Sequence, residues 1–218
     1  MRLFAVSDIH GATESIEAAA PLLRAADWIV IAGDITRDKT RAEAADVIAR
    51  FERSSTKILA VHGNWDRPEV KEYLEEKGYS LHGTGRVLDG IGFFGLGGSS
   101  PTPMNTATEY TEEEIGACLR SGYETVRGAS QIVLISHVPP RDVLDRSVFG
   151  LRRGSRALRA FLAANPVSLC LCGHIHEAAG IERFQDTLVA NAGSFKKGLY
   201  LSIEVGADLE VTRGRIGD

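Results

Sequence analysis

Short apolar runs, each bounded by Gly, Asp or His, alternate in the first third of the chain with segments whose apolar spacing is helical. Residues 3–7, 28–32 and 57–61 read as strands, while 15–24 and 42–51, rich in Ala, Glu, Ile and Arg, favour helix. Alternation of this kind predicts βαβ units with parallel strands. A third helix is expected to start at Pro68, where a missing N–H costs nothing.

The middle of the chain changes character. Residues 86–89, Gly90 and residues 91–96 predict a hairpin carrying Phe93 and Phe94. The breaker-rich stretch 97–110, with Pro101 and Pro103, is either a lid or a plain connector. Thr111 with Glu114 forms a capping box and predicts a helix over 112–126, followed by a buried strand at 131–136 that Pro139 and Pro140 stop. A second irregular stretch, 141–153, precedes a helix over 155–164. The tail, with strands at 167–171, 187–190, 199–205 and 209–212, is expected to be β-rich and antiparallel.

With 218 residues, 44% of them apolar and 25% charged, the chain suits a soluble protein folding as one domain over 1–218. Its 29 acidic against 25 basic residues give a charge of −4, with no basic block, which makes nucleic acid an unfavoured partner. No run approaches the ~18–20 apolar residues a membrane span needs. Ser7 and Asp8 interrupt the first apolar run before it could serve as a signal peptide. Three cysteines without a spaced framework, Cys118, Cys170 and Cys172, suit a reducing, cytoplasmic location. Cys170 and Cys172 read as small core residues, since two cysteines do not complete a tetrahedral metal site.

The chemistry lies at the strand ends. Asp8 and His10, Asp34, Asn64, His137, and His174 with His176 each follow a predicted strand at its carboxyl end, where open α/β sheets bind ligands. The i, i+2 spacing of Asp8/His10 and His174/His176 would, in extended chain, aim both members of a pair to one face. Gly11, Gly33, Gly63 and Gly173 beside them leave room for close approach. His62 and His82, outside these motifs, are expected at the surface or in turns. Arg141, Arg146, Arg152 and Arg153 would either meet substrate oxygens or belong to a solvated loop, and Lys196 and Lys197 leave the same alternatives open.

The ordered set Asp8-x-His10-Gly11, Gly33-Asp34, Gly63-Asn64, Ser136-His137 and Gly173-His174-x-His176 resembles the calcineurin-like metallophosphoesterase superfamily over residues 8–176, about three quarters of the chain. Asn191-Ala192-Gly193-Ser194 resembles a later family element. The resemblance implies an α/β fold, a four-layer α-β-β-α sandwich of two mixed β-sheets flanked by helices, the metallo-dependent phosphatase fold. It also implies two divalent metal ions: Asp8, His10, Asp34 and His176 would bind one, Asp34, Asn64, His137 and His174 the other, with Asp34 bridging. Asp34, Asn64 and His10 are the residues to which it would assign catalysis.

Imidazole and carboxylate donors suit Mn, Fe, Zn, Co or Ni. Two such ions outweigh Asp8 and Asp34, leaving a positive centre able to attract a small phosphate ester and to clamp nucleophile and phosphoryl oxygens. Hydrolysis of phosphate esters is therefore the expected activity, phosphodiesters slightly ahead of phosphomonoesters. A non-catalytic protein-binding scaffold and a nuclease are the alternatives. One departure stands out: where many family members read Gly-Asn-His-Asp or Gly-Asn-His-Glu, this chain has Gly63-Asn64-Trp65-Asp66. Trp65 has one N–H donor and no proton to give at useful pH, so leaving-group protonation would either be weakened or fall to another group, such as His10, His62 or water.

Overall fold

Alternation along single strands decides the architecture. In β1 (Arg2–Val6), Leu3 and Ala5 point one way and Phe4 and Val6 the other, and all four are buried, so both faces of the strand need a covering layer. The same holds for β2 (Trp28–Ala32) and β3 (Ile58–Val61). The computed structural model describes residues 1–206 and 208–218 and resolves these demands into two sheets.

The first sheet has the order β11-β10-β1-β2-β3, with β10 (Leu199–Val205) and β11 (Leu209–Arg215) antiparallel beside the parallel β1, β2 and β3. The second runs β4-β5-β6-β7-β9-β8. Its centre is parallel: β5 (Ile91–Leu96), β6 (Gln131–Ser136), β7 (Leu169–Cys172) and β9 (Thr187–Asn191). The edges β4 (Gly85–Leu88) and β8 (Gly180–Phe184) are antiparallel. Leu3, Val30, Leu59 and Leu201 of one sheet pack against Phe93, Val133 and Leu169 of the other. Outside the first sheet lie α1 (Thr13–Ala18), α2 (Ala20–Ala25), α3 (Arg41–Glu52) and α4 (Pro68–Glu76); outside the second lie α5 (Glu112–Glu124) and α6 (Arg156–Ala164). The layers are therefore helix, sheet, sheet, helix, as the resemblance implies.

Three expectations need correction. The helix over 15–24 is two short helices, because Pro21 opens α2 and cannot continue α1. The tail is mixed rather than antiparallel, since β9 lies parallel to β7. Strand β8 escapes the apolar pattern because Ile181, Glu182 and Arg183 are all exposed on an edge. The capping box holds: the Thr111 hydroxyl accepts from the Glu114 N–H and the Glu114 carboxylate accepts from the Thr111 N–H.

Candidate metal centre

Each parallel strand ends in a sharp turn, and the turns carry the polar residues. Asp8, His10, Asp34 and His174 all have left-handed backbones, with φ of 55°, 46°, 51° and 65°. Such conformations cost about 1 kcal/mol or more for a residue with a side chain, and they persist where the surrounding fold dictates them. The extended-chain argument for the i, i+2 pairs is thus corrected: Asp8 and His10 lie beyond β1 in a turn, and His176 opens a 3₁₀ turn (His176–Ala178). Curled rather than extended chain brings each pair together.

All seven candidate side chains meet in one cluster. Oxygen and nitrogen atoms of Asp8, His10 and His176 lie within 4.8 Å of one another, as do those of Asp8, Asp34 and His137. The two Asp34 oxygens face opposite ways, Oδ2 toward His10 Nε2 at 3.7 Å and Oδ1 toward His137 Nε2 at 3.4 Å. His174 packs edge-on against His137 with ring centroids 5.1 Å apart, and His10 lies 5.6 Å from His176. A Cβ on Gly63 would overlap the Asp34 carboxylate, and one on Gly173 would overlap Ser7 and Asp8, so only glycine admits this convergence.

Hydrogen bonds fix the orientation of the donors. His137 Nδ1 lies 2.8 Å from the Ala32 carbonyl and must donate to it, which turns the lone pair of Nε2 into the cluster. Asn64 Nδ2 donates to Thr106 Oγ1 (2.9 Å), which donates onward to the Glu109 carboxylate (2.5 Å), so Asn64 Oδ1 faces His137 Nε2 at 2.8 Å. Two acceptors therefore confront each other, with Asp34 Oδ1 beside them, and only a cation or a shared proton relieves this arrangement. The buried Asp66 carboxylate accepts from the N–H groups of Ile35, Thr36 and Gly63 and clamps the Asn64 turn to the Asp34 turn. Asn191 Nδ2 donates to the Gly173 and Ile175 carbonyls and braces the His174–His176 turn from below.

The two buried carboxylates respond in opposite directions. Burial pushes Asp34 up to about 6, with His137 and His10 acting against it and the negative charges of Asp8 and Asp66 acting with it. Burial also acts to raise Asp8, but the His176 hydrogen bond (3.0 Å), the His137 and His176 imidazoles and Ser7 outweigh it and hold Asp8 at about 2. Burial lowers His174 to about 3, whereas the Asp8 hydrogen bond raises His176.

A cleft of about 590 Å³ opens over the cluster. His10, Asp34, Asn64, His174 and His176 form part of its wall, along with Arg37, Arg153, Lys196 and Glu177. Residues of both irregular stretches also line it: Met104 and Thr106 from the first, Val148 and Phe149 from the second. Of the arginines noted in the second stretch, Arg153 lines the cleft, while Arg152 pairs with Asp142 and Asp145 and Arg141 donates to the Arg152 carbonyl. Arg37, Thr106 and Glu109 carry no motif signal in the sequence. Trp65 lines the cleft with its indole N–H already donated to the Arg37 carbonyl at 2.8 Å.

His62 and His82 are not at the surface. His62 is fully buried and His82 largely so; they pack with Tyr110 and Cys118. Glycine at position 97 makes the space, because a Cβ there would strike the His62 ring. Locked in this way, His62 does not reach the cleft and is removed as a proton donor.

Comparison with known proteins agrees with the geometry. The family model "Calcineurin-like phosphoesterase superfamily domain" matches residues 1–205. The chain is 32% identical over 197 residues to an uncharacterized protein of Methanocaldococcus jannaschii, covering 88% of this chain and 87% of that one. Among solved structures, the protein TT1561 of Thermus thermophilus superposes with a TM-score of 0.74 at 16% identity, over 99% of this chain and 98% of its own. A dimetal phosphatase from Danio rerio superposes with a TM-score of 0.70 at 13% identity, over 99% and 96%. No helix among the described residues is long and apolar enough to cross a membrane. In sequence and in fold, the chain belongs to the calcineurin-like phosphoesterase superfamily.

Proposed function

We propose that this chain hydrolyses small phosphate esters with two divalent cations held in the cluster, and that it takes phosphodiesters slightly ahead of phosphomonoesters. One observation carries the reading: the lone pairs of His137 Nε2 and Asn64 Oδ1 face each other at 2.8 Å, with Asp34 Oδ1, which accepts from the Trp65 N–H, 3.4 Å from His137 Nε2. The donor set fits borderline ions such as Mn, Fe, Zn, Co or Ni. Asp8, His10, Asp34 and His176 would hold one, Asp34, Asn64, His137 and His174 the other, and the opposed oxygens of Asp34 suit a bridge. Bound there, the cations supply Lewis acidity that neutralises phosphate charge and brings the ionisation of water toward neutral pH.

The chain's own side chains do the rest. Arg37, Arg153 and Lys196 draw the phosphate into the cleft. The Trp65 backbone N–H (2.8 Å) holds the Asp34 carboxylate in place, and Thr106 with Glu109 holds the Asn64 amide. Because the Trp65 indole is committed to Arg37, no dedicated acid serves the leaving oxygen, and turnover should favour esters whose leaving groups need no proton. The cleft has room for substituents on two ester oxygens, which suits a diester. A polynucleotide would want a longer basic track than three cations beside Glu177. The three unpaired cysteines fit a cytoplasmic protein.

The scaffold reading draws on the exposure of Met104, Val148 and Phe149 at the cleft mouth. A protein-docking surface has no use for the oriented polar cluster beneath it. Metal analysis joined to assays over aryl phosphomonoesters, phosphodiesters and cyclic nucleotides, with Asp34→Asn as control, tests the proposal. Two metals per chain and turnover lost in the variant are expected. Two metals with no turnover of any ester would hand the fold to the scaffold reading.

A further inference from the structure

Seven large hydrophobic side chains are exposed among the described residues, and four of them, Met104, Val148, Phe149 and Leu151, lie in the two irregular stretches beside the cleft. Met104, Val148 and Phe149, at 72%, 69% and 85% exposure, line the cleft itself together with Trp65 and Ile175. Scattered apolar residues need no explanation, but their concentration at one mouth does.

The walls that carry them are built rather than loose. Buried Asp145 accepts from Arg152 Nη1 (2.7 Å) and from the Gly154 N–H (3.1 Å). Above that anchor the chain closes a tight turn: the Ser147 N–H donates to the Leu151 carbonyl and the Gly150 N–H to the Ser147 carbonyl. Val148 and Phe149 sit at its tip, and Gly150 takes the left-handed conformation it requires, with φ of 71°. Facing residues are fixed too, since Glu109 ties down Thr102 and Thr106 on either side of Met104. With the backbone already fixed in the free protein, only side-chain rotamers remain to be ordered when a ligand covers these residues.

We infer that Met104, Val148 and Phe149 form a subsite for an apolar substituent, an alkyl or aryl group, carried on the phosphate ester. The inference rests on the phosphate-ester reading above. A sugar or a base edge would need hydrogen-bonding side chains at this ledge, and these three residues supply none.

Methyl-, butyl- and hexylphosphonate are not hydrolysed and differ only in apolar length, so their binding to the metal-loaded protein by calorimetry isolates the subsite from catalysis. The dissociation constant is expected to fall about threefold per added methylene over the first few, giving about 30-fold between methyl and butyl. That ratio should shrink toward one in Phe149→Ser and in Met104→Ser, and persist in Val87→Ser, an exposed apolar position on β4. The kcat/KM values of aryl alkyl phosphodiesters sharing one leaving group should rise in the same order.

Methylphosphonate bound as tightly as hexylphosphonate, with esters still hydrolysed, would overturn the subsite and leave the hydrolase standing. No phosphonate bound and no ester hydrolysed would overturn both. Phosphatidylcholine vesicles sedimenting with the wild type but not with Phe149→Ser, alongside a flat phosphonate series, would overturn the subsite in favour of a membrane-facing edge.

Discussion

Two histidine clusters lie at the same end of this fold, and their surroundings differ. His10, His137, His174 and His176 surround the carboxylates of Asp8 and Asp34. His62 and His82, the remaining two of the six histidines, sit with Tyr110 and Cys118 and have no carboxylate. Burial lowers His62 well below its ordinary range and His82 to about 4, so both rings stay neutral and pack as aromatic side chains. His62 is two residues from Asn64 and yet stands outside the centre. Proximity to a strand end is therefore not what sets the first cluster apart; buried negative charge that a cation could neutralise is.

The largest expected effect breaks the comparison at its carboxylates. Asp34→Asn should drop the metal content below two per chain and reduce turnover beyond the ~10- to 100-fold that losing a supporting partner costs. His62→Phe should keep both metals and the rate within about threefold, with a stability change of about 1–3 kcal/mol from lost packing and the lost Tyr110 bond at 3.1 Å. A folded His62→Phe protein that loses its metals would merge the two clusters into one functional unit.

Stability against pH sets Asp34 against His82 with opposite signs in chelated protein. Asp34 rises to about 6 in the fold against 3.8, so between those values the native state holds more protons and stability falls as pH rises, by about 3 kcal/mol at most. His82 drops to about 4 against 6.5, so in that window the unfolded chain holds more protons and stability rises with pH by a comparable amount. Urea midpoints across pH 4.5 to 6.5 should therefore climb steeply in chelated Asp34→Asn and stay nearly flat in chelated His62→Phe/His82→Phe, where His174, held at about 3, offsets Asp34. Metal should remove the Asp34 contribution, since it would bind the ionised carboxylate. Parallel slopes in the two variants would refute this assignment.

How far the sequence carries follows from the same contrast. Strands show because apolar runs end abruptly in Asp, Asn or His, and the strand-end position of Asp8, Asp34, Asn64, His137 and His174 is visible before any fold is known. What hides is whatever depends on a distant residue. His62 is interior because position 97 is glycine. Thr106 and Glu109 matter only because a loop brings them over Asn64, across 42 residues of chain for Thr106. The left-handed turns at Asp8, His10 and Asp34 run against local preference and are imposed by the packed sheets. Edge strand β8, exposed along its middle, has no apolar alternation to read.

The relay from Glu109 through Thr106 to Asn64 sharpens the picture further. Without the Thr106 hydroxyl, nothing keeps the amide oxygen rather than the amide nitrogen turned toward His137. Thr106→Val should weaken metal affinity or lower kcat by about tenfold, and Glu109→Gln by less, because a neutral amide oxygen can still accept from Thr106. Equal affinity and rate in Thr106→Val, measured by metal titration and initial rates, would make the relay a loop anchor only.

Trp65 carries the smallest expected change and the most specific one. Its ring lies under the Lys39 ammonium at 3.7 Å with the indole N–H spent on Arg37, so it offers the leaving oxygen neither proton nor hydrogen bond. Wild-type rates should then depend steeply on leaving-group pKa, with aryl esters well ahead of alkyl ones. Trp65→His restores the residue many family members carry there and should raise alkyl-ester turnover several-fold while leaving aryl esters nearly unchanged, flattening the dependence. Cluster and ledge stay in place in this variant, so a rate series over aryl and alkyl esters isolates proton supply. A wild-type series already flat would show that protonation is provided by some group other than position 65.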